Sequence, residues 1–102
     1  MLPSHRLKKS NTIENLWVYV LFILKKRPIY GYEIPRLVEE EFNFKPGKIT
    51  PYRILYQLEN QDFVKSKIEN RRKIYKITKK GEEELKKARK FYKNLLASIT
   101  RA

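Results

Sequence analysis

The sequence predicts a mainly α-helical domain carrying one small β-hairpin, and three observations predict it. Apolar residues recur at three- and four-residue steps in four separate stretches, the period of a half-buried helix. Between residues 65 and 78 the period drops to two. There, Lys65 to Ile68 and Ile74 to Thr78 alternate apolar with basic residues around the polar turn Glu69-Asn70-Arg71-Arg72-Lys73. Finally, 102 residues support one domain, and so small a core is commonly extended by self-association.

The first ten residues, Met1 to Ser10, are basic and unpatterned and are expected to form a flexible arm. Their His5 is the only histidine, and no metal role is expected of it. The first helix is expected to begin at Asn11 or Thr12, with Glu14 three residues on as a capping box. Ile13, Leu16, Trp17, Val20, Leu21 and Leu24 form one stripe of it, while Tyr19, Phe22 and Ile23 make the other side apolar too. A helix apolar on two faces needs two coverings, one from its own domain and one from a partner. Arg27-Pro28 ends it.

Tyr30-Gly31-Tyr32-Glu33-Ile34 is read as the opening of a second helix running to Phe42, with Pro35 costing it one backbone bond. Glu39-Glu40-Glu41 form a solvated face, and Asn43 to Lys48, with Pro46-Gly47, a loop. Thr50 as N-cap and Pro51 at the first helical position announce a third helix ending near Gln61-Asp62. Pro51, Ile54, Leu55 and Leu58 fall on its buried side; Tyr52, Arg53, Tyr56, Gln57 and Asn60 fall on the other. The hairpin follows, Asn70 supplying the positive φ of a tight turn. The last helix spans Lys79 to Thr100, with acids at its start and cations after them, and Glu82–Lys86 and Glu83–Lys87 as i,i+4 pairs. Leu85, Ala88, Tyr92, Leu95 and Ile99 keep heptad spacing along it, too short a seam for a free-standing coiled coil but suited to a dimer contact. With Ile13, Trp17 and Val20 of the first helix, these five are the candidate dimer interface.

Charge narrows the partners. Twenty-four Lys and Arg against eleven acids give a formal +13, which suits nucleic acid, an anionic membrane surface or an acidic protein. Residues 65 to 80 alone carry eight cations and one acid. The apolar run Leu16 to Leu24 is nine residues long, against the ~20 that span a bilayer, and no cleavage site follows it; a soluble cytoplasmic protein with no membrane contact is expected. Cysteine is absent, which excludes disulfides and thiolate metal sites.

The third helix offers hydrogen-bonding side chains and a cation, with no carboxylate until Glu59 at its margin, as a face meant for base edges and phosphates would. Helix, helix, helix, hairpin, helix is the order of a winged helix-turn-helix, here over residues 11–78, with residues 79–102 as a dimerisation helix packed on the same domain. Arg53, Tyr56 and Gln57 are expected to reach base edges. Lys48, Thr50 and Tyr52 would hold phosphates at the helix start. Lys65 and Lys67, with Arg71, Arg72 and Lys73, would lie along the backbone or in the minor groove.

These residues also resemble a family, the PadR-like transcriptional regulators. Tyr30-Gly31-Tyr32-Glu33-Ile34 and Val38-Glu39-Glu40-Glu41-Phe42 look like its opening motif. Thr50-x-Tyr52 with Leu55-x-x-Leu58-Glu59 resembles its third helix, and Tyr75-x-Ile77-Thr78-x-x-Gly81 its exit from the wing. The chain departs from the family pattern in Ile49-Thr50-Pro51-Tyr52-Arg53, in Asp62 where glycine is common, and in Asn70-Arg71-Arg72-Lys73 at the wing. The resemblance implies a homodimeric repressor on pseudo-palindromic double-stranded DNA, in a family where some members respond to small aromatic or drug-like ligands; it names no effector for this sequence.

Two other classes use the same charge: a non-specific DNA- or RNA-binding protein of chromatin or ribosomal type, and a winged-helix adaptor for proteins. Catalysis is not expected. There is no cysteine, one tail histidine, no glycine-rich phosphate loop and no pair of acids to nominate, and no cofactor is called for.

Overall fold

The computed structural model describes residues 1–101. Its elements are α1 (Pro3–Ser10), α2 (Leu16–Lys26), β1 (Ile29–Tyr30), a 3₁₀ turn (Gly31–Glu33), α3 (Ile34–Phe42), α4 (Thr50–Asn60), β2 (Val64–Glu69), β3 (Arg72–Ile77) and α5 (Lys79–Thr100). The three strands form an antiparallel sheet in the order β1-β3-β2.

The amino-terminal segment is helical where a flexible arm is expected. Pro3 stands in the first turn, where its missing N–H costs nothing, and the Leu2 carbonyl accepts from the His5 and Arg6 amides. Asn11 and Thr12, expected to start the next helix, close this one instead. The Asn11 side chain donates to the Leu7 carbonyl at 2.9 Å and the Thr12 hydroxyl to the Lys8 carbonyl at 2.7 Å. Glu14 turns to Ser10 rather than to a capping box, and α2 begins only at Leu16, without a side-chain cap.

Leu16, Val20, Leu21, Ile23 and Leu24 then make α2 the spine of the core, which Ile29, Ile34, Val38, Leu55, Leu58, Val64, Tyr75, Ile77 and Leu85 complete. Residues 30–33, expected to open the second helix, instead finish a strand (Ile29–Tyr30) and form a 3₁₀ turn. Ile29 pairs with Tyr75 and Tyr30 with Ile74, and the Glu33 carboxylate accepts the Tyr30 amide at 3.2 Å. Because α3 therefore starts at Ile34, Pro35 falls in its first turn and removes no helical bond.

α4 starts one residue early, with Ile49 as N-cap and Thr50 already helical, so the Thr50 hydroxyl caps nothing. Its end is a Schellman motif: Asp62 sits at φ 64°, its amide donates to Glu59, and the Phe63 amide donates to Leu58. Aspartate thus takes the left-handed position where the family commonly has glycine. The hairpin strands are longer than expected and the turn shorter. Only Asn70 and Arg71 connect them, both at positive φ as a type I′ turn requires, and Glu69 pairs with Arg72. Thr78 caps α5 by accepting the Gly81 amide at 3.1 Å and donates to the Asp62 carbonyl, which fastens the hairpin base to both neighbouring helices. A Cβ at Gly81 would lie 2.1 Å from the Phe63 carbonyl, so only glycine fits there.

α5 is buried only at its start. Gly81 and Leu85 are covered and Ala88 half-covered, after which Arg89 to Thr100 are exposed, Phe91, Leu95, Leu96 and Ile99 included. Two of the expected dimer residues therefore face the protomer's own core: Val20 is fully buried and Leu85 nearly so. The apolar spacing of each was read correctly, but the covering comes from the same chain. Ile13 lies half-buried in the turn before α2, and Trp17 packs half-buried against the core. Lys87 pairs with Glu84 at 3.1 Å rather than with Glu83.

Candidate nucleic-acid interface

The buried stripe Pro51, Leu55 and Leu58 seats α4 on the core and leaves Tyr52, Arg53, Tyr56, Gln57 and Asn60 in solvent. The one acid of the helix is turned away from them. Glu59, half-buried, accepts the Ser66 hydroxyl of β2 and lies 4.0 Å from the Lys73 ammonium of β3. The outward face is consequently free of negative charge, and the hairpin is held against the back of the helix.

Lys48 is exposed in the loop that leads into α4, and Thr50 is half-buried in the helix's first turn. The helix start itself offers few free donors to an anion. Pro51 has no N–H, and the Tyr52 and Arg53 amides both donate to the Ile49 carbonyl. Side chains rather than free helix-terminal amides are therefore the groups this region offers to an anion.

The hairpin cations divide into three groups. Arg71 occupies the turn at φ 63° and is exposed. Arg72 and Lys73 are each tied into the fold, through different partners. The Arg72 guanidinium lies 4.5 Å from the centre of the Tyr32 ring, and Lys73 faces Glu59. Lys65 and Lys67 project, by the pleat, to the sheet face opposite Val64, Ser66, Tyr75 and Ile77, where Lys65 stands directly across from Lys76. The structure therefore does not place Lys65 and Lys67 on one surface with the α4 side chains.

Two tyrosines belong to the site that sequence reasoning assigned only to a helix start. Tyr30 and Tyr32 stack at 5.7 Å with 29° between their planes, and the Asn70 side-chain amide donates to the Tyr30 hydroxyl at 3.0 Å. Ile29 and Tyr30 directly after Arg27-Pro28 were the available signal, since a β-branched and an aromatic residue beyond a proline fit a strand better than a helix start. Beside them Tyr75 has its phenol pKa raised, by burial first and then by Glu59 and Tyr52.

An exposed polar helix over a three-helix core, with a cationic hairpin fastened at its back, defines a winged helix-turn-helix protein. The profile of the transcriptional regulator PadR-like family matches residues 20–87, and the chain belongs to that family, one of transcriptional regulators and not of enzymes. It is similar to a PadR family transcription regulator from Clostridium difficile R20291, at 29% identity over 83% of this chain and 97% of that one, with a TM-score of 0.70. A PadR-like transcription factor from Bacteroides fragilis superposes with a TM-score of 0.77, at 26% identity over 92% and 95% of the two chains. The Bacillus subtilis PadR, whose structure is in complex with operator DNA, gives 0.62 at 27% identity, over 74% of this chain and 46% of that one. No curated protein matches the chain. No helix among the described residues is long and apolar enough to cross a membrane.

Proposed function

We propose that this chain acts as a homodimer on double-stranded operator DNA and represses transcription by occupying it, which carries with it a cytoplasmic location. The observation that supports this most is the α4 face, where Tyr52, Arg53, Tyr56, Gln57 and Asn60 are exposed together while Glu59 is folded back onto the hairpin. Arg53 and Gln57 are the side chains suited to guanine and adenine edges in the major groove, with Tyr56 beside them. Lys48, Thr50 and Tyr52 would lie along phosphates at the start of the helix, and Arg71 would enter the adjacent minor groove. Operator DNA in the Bacillus subtilis PadR structure supports the same partner here.

The distal half of α5 supports the dimer, because Phe91, Tyr92, Leu95, Leu96 and Ile99 expose apolar surface along one helix. Ala88 lies half-covered where that surface begins, Ile13 and Trp17 are half-buried before and in α2 and stay candidates for the same interface, and Val20 and Leu85 are covered within their own protomer. A groove of about 430 Å³ runs between α2, α3 and α5, lined by Val18, Tyr19, Phe22, Phe42, Leu85 and Tyr92. Its mostly apolar lining would suit a small aromatic effector, were this chain to bind one.

Selection of bound sequences from random duplex DNA at two salt concentrations tests the reading. A two-fold symmetric consensus is expected, with half-sites ~10 bp apart or a multiple of that. It should be preferred over unrelated DNA by roughly 10³-fold or more. Retention that depends on salt alone, with no sequence enriched, would replace this reading with non-specific packaging.

A further inference from the structure

A protein that places one helix in a major groove and a hairpin tip in the next minor groove straddles the sugar–phosphate strand between those grooves. In this fold the space between α4 and the hairpin is a groove of about 370 Å³ lined by Gly31, Tyr32, Tyr52, Arg72, Lys73 and Tyr75. Its polar groups are phenols and cations. Tyr32 and Tyr52 are half exposed, at 51% and 48%, and each brings a hydroxyl. Arg72 and Lys73 bring the charge, with the Glu59 carboxylate 4.0 Å from the Lys73 ammonium.

Arg72 does not hang free there. Its guanidinium rests 4.5 Å from the Tyr32 ring centre, and Tyr32 is backed in turn by the Tyr30 ring, which Asn70 holds through its hydroxyl. Stacking engages the face of a guanidinium and leaves the N–H donors on its edge for a planar or tetrahedral oxyanion. A positioned cation next to two phenol donors is the chemistry of a phosphodiester seat. A base edge would ask for a donor and acceptor pattern instead.

We infer that Tyr32, Tyr52, Arg72 and Lys73 bind one phosphodiester of the strand that passes between α4 and the hairpin. This inference rests on the operator-binding reading and adds a specific contact to it. Arg72 is then a backbone clamp beside the turn of the hairpin, not a minor-groove probe, and that reach is left to Arg71. The seat reads no bases. It sets how far α4 can rotate in the major groove, because the strand is held between a fixed ring stack and the start of the helix.

The test is a scan of the selected operator with single neutral methylphosphonate linkages, measured against wild type, Arg72→Met and Tyr32→Phe. Wild type should lose roughly tenfold at one or two adjacent linkages outside the bases read by α4, the loss of one charge-assisted contact. In Arg72→Met the penalty at those linkages should shrink to within about twofold, with penalties elsewhere unchanged, and the salt slope of binding should fall by about one. Tyr32→Phe keeps the ring under Arg72 and loses only the hydroxyl, so it should shrink the same penalty partly while leaving the salt slope alone. Equal penalties in all three proteins, or affinity lost evenly across the scan in the variants, would overturn the seat and leave operator binding intact. A wild-type chain that holds no duplex would overturn the operator-binding reading, and the seat with it.

Discussion

Ser66 donates its hydroxyl proton to the Glu59 carboxylate, so the first strand of the hairpin is fastened to the helix with the proposed reading face. Lys73 closes the same contact from the second strand. Glu59→Ala removes both fastenings and a negative charge from the margin of α4. It should cost about 1 kcal/mol of stability, since a hydrogen bond to a charged group is partly offset by its exposure to water. It should also raise affinity for unrelated DNA relative to operator. Urea unfolding and competition binding read the two effects, and an unchanged urea midpoint would show that the hairpin does not depend on this contact.

Arg71 sits at φ 63°, a conformation that a glycine adopts without steric cost and an arginine does not. Arg71→Gly turns the connection into Asn-Gly, the preferred pair for a type I′ turn. The variant should be more stable by roughly 0.5–1 kcal/mol. It should nevertheless bind every DNA sequence more weakly, by a similar factor for operator and competitor. Stability and affinity moving in opposite directions would mark Arg71 as a residue kept for its charge at a conformational cost. Weaker binding of the operator alone would instead make it a base reader.

Arg53 is expected to behave in the opposite way. It stands exposed in the second turn of α4 and has no acidic partner among the described residues. Arg53→Ala should cost about 1–3 kcal/mol on operator DNA and relax the preference at one base position. Little change is expected on unrelated duplex. Repeating the random-sequence selection with the variant measures this directly, and an unaltered consensus would remove Arg53 from the reading set.

Most of the domain could be read from periodicity because α2 and α4 each carry an apolar stripe whose burial follows from its spacing. Pro51, Leu55 and Leu58 were placed on the inside of α4 and are buried. What periodicity does not carry is the identity of the covering surface, and so Val20 and Leu85 were assigned to a partner although their own protomer covers them. α1 has no buried residue and so no stripe; the signals were proline in its first turn, which the arm reading passed over, and the side chains that close its end, which were read for the next helix. β1 is two residues long and exists because β3, some 45 positions downstream, pairs with it. The same long-range pairing brings Tyr32 to Arg72, a contact that spacing within one segment could not reveal.

Tyr19 and Tyr75 make stability sensitive to alkaline pH. Burial raises both phenols above the ordinary value of 10.0, helped at Tyr19 by Tyr92 and at Tyr75 by Glu59 and Tyr52. The folded chain therefore keeps their protons at a pH where the unfolded chain has begun to lose them. Their contribution is complete below about pH 10 and is lost as pH rises through the raised values. Tyr75→Phe should flatten that loss in urea midpoints measured from about pH 8 upward. A variant whose midpoint falls as steeply as wild type would exclude Tyr75 as a source.

The two halves of α5 should respond to substitution in different currencies. Leu85 is 2% exposed and packed in the protomer core, so Leu85→Ala should lower stability by about 2–5 kcal/mol through the cavity it leaves. Leu95 and Ile99 are exposed at 46% and 70% in the isolated chain, where a charge costs little. If two copies bury this face together, Leu95→Asp with Ile99→Asp places four carboxylates in an apolar seam, with nothing in the seam's own stripe to neutralise them. The doubly substituted chain should keep the helical spectrum of wild type and sediment as a single subunit. Operator affinity should drop steeply as well, because each half-site would then be held by one domain alone. Sedimentation equilibrium at several concentrations distinguishes the cases: a wild-type mass of one subunit throughout, or a double variant that still pairs, would show that the distal half of α5 is not where two copies meet.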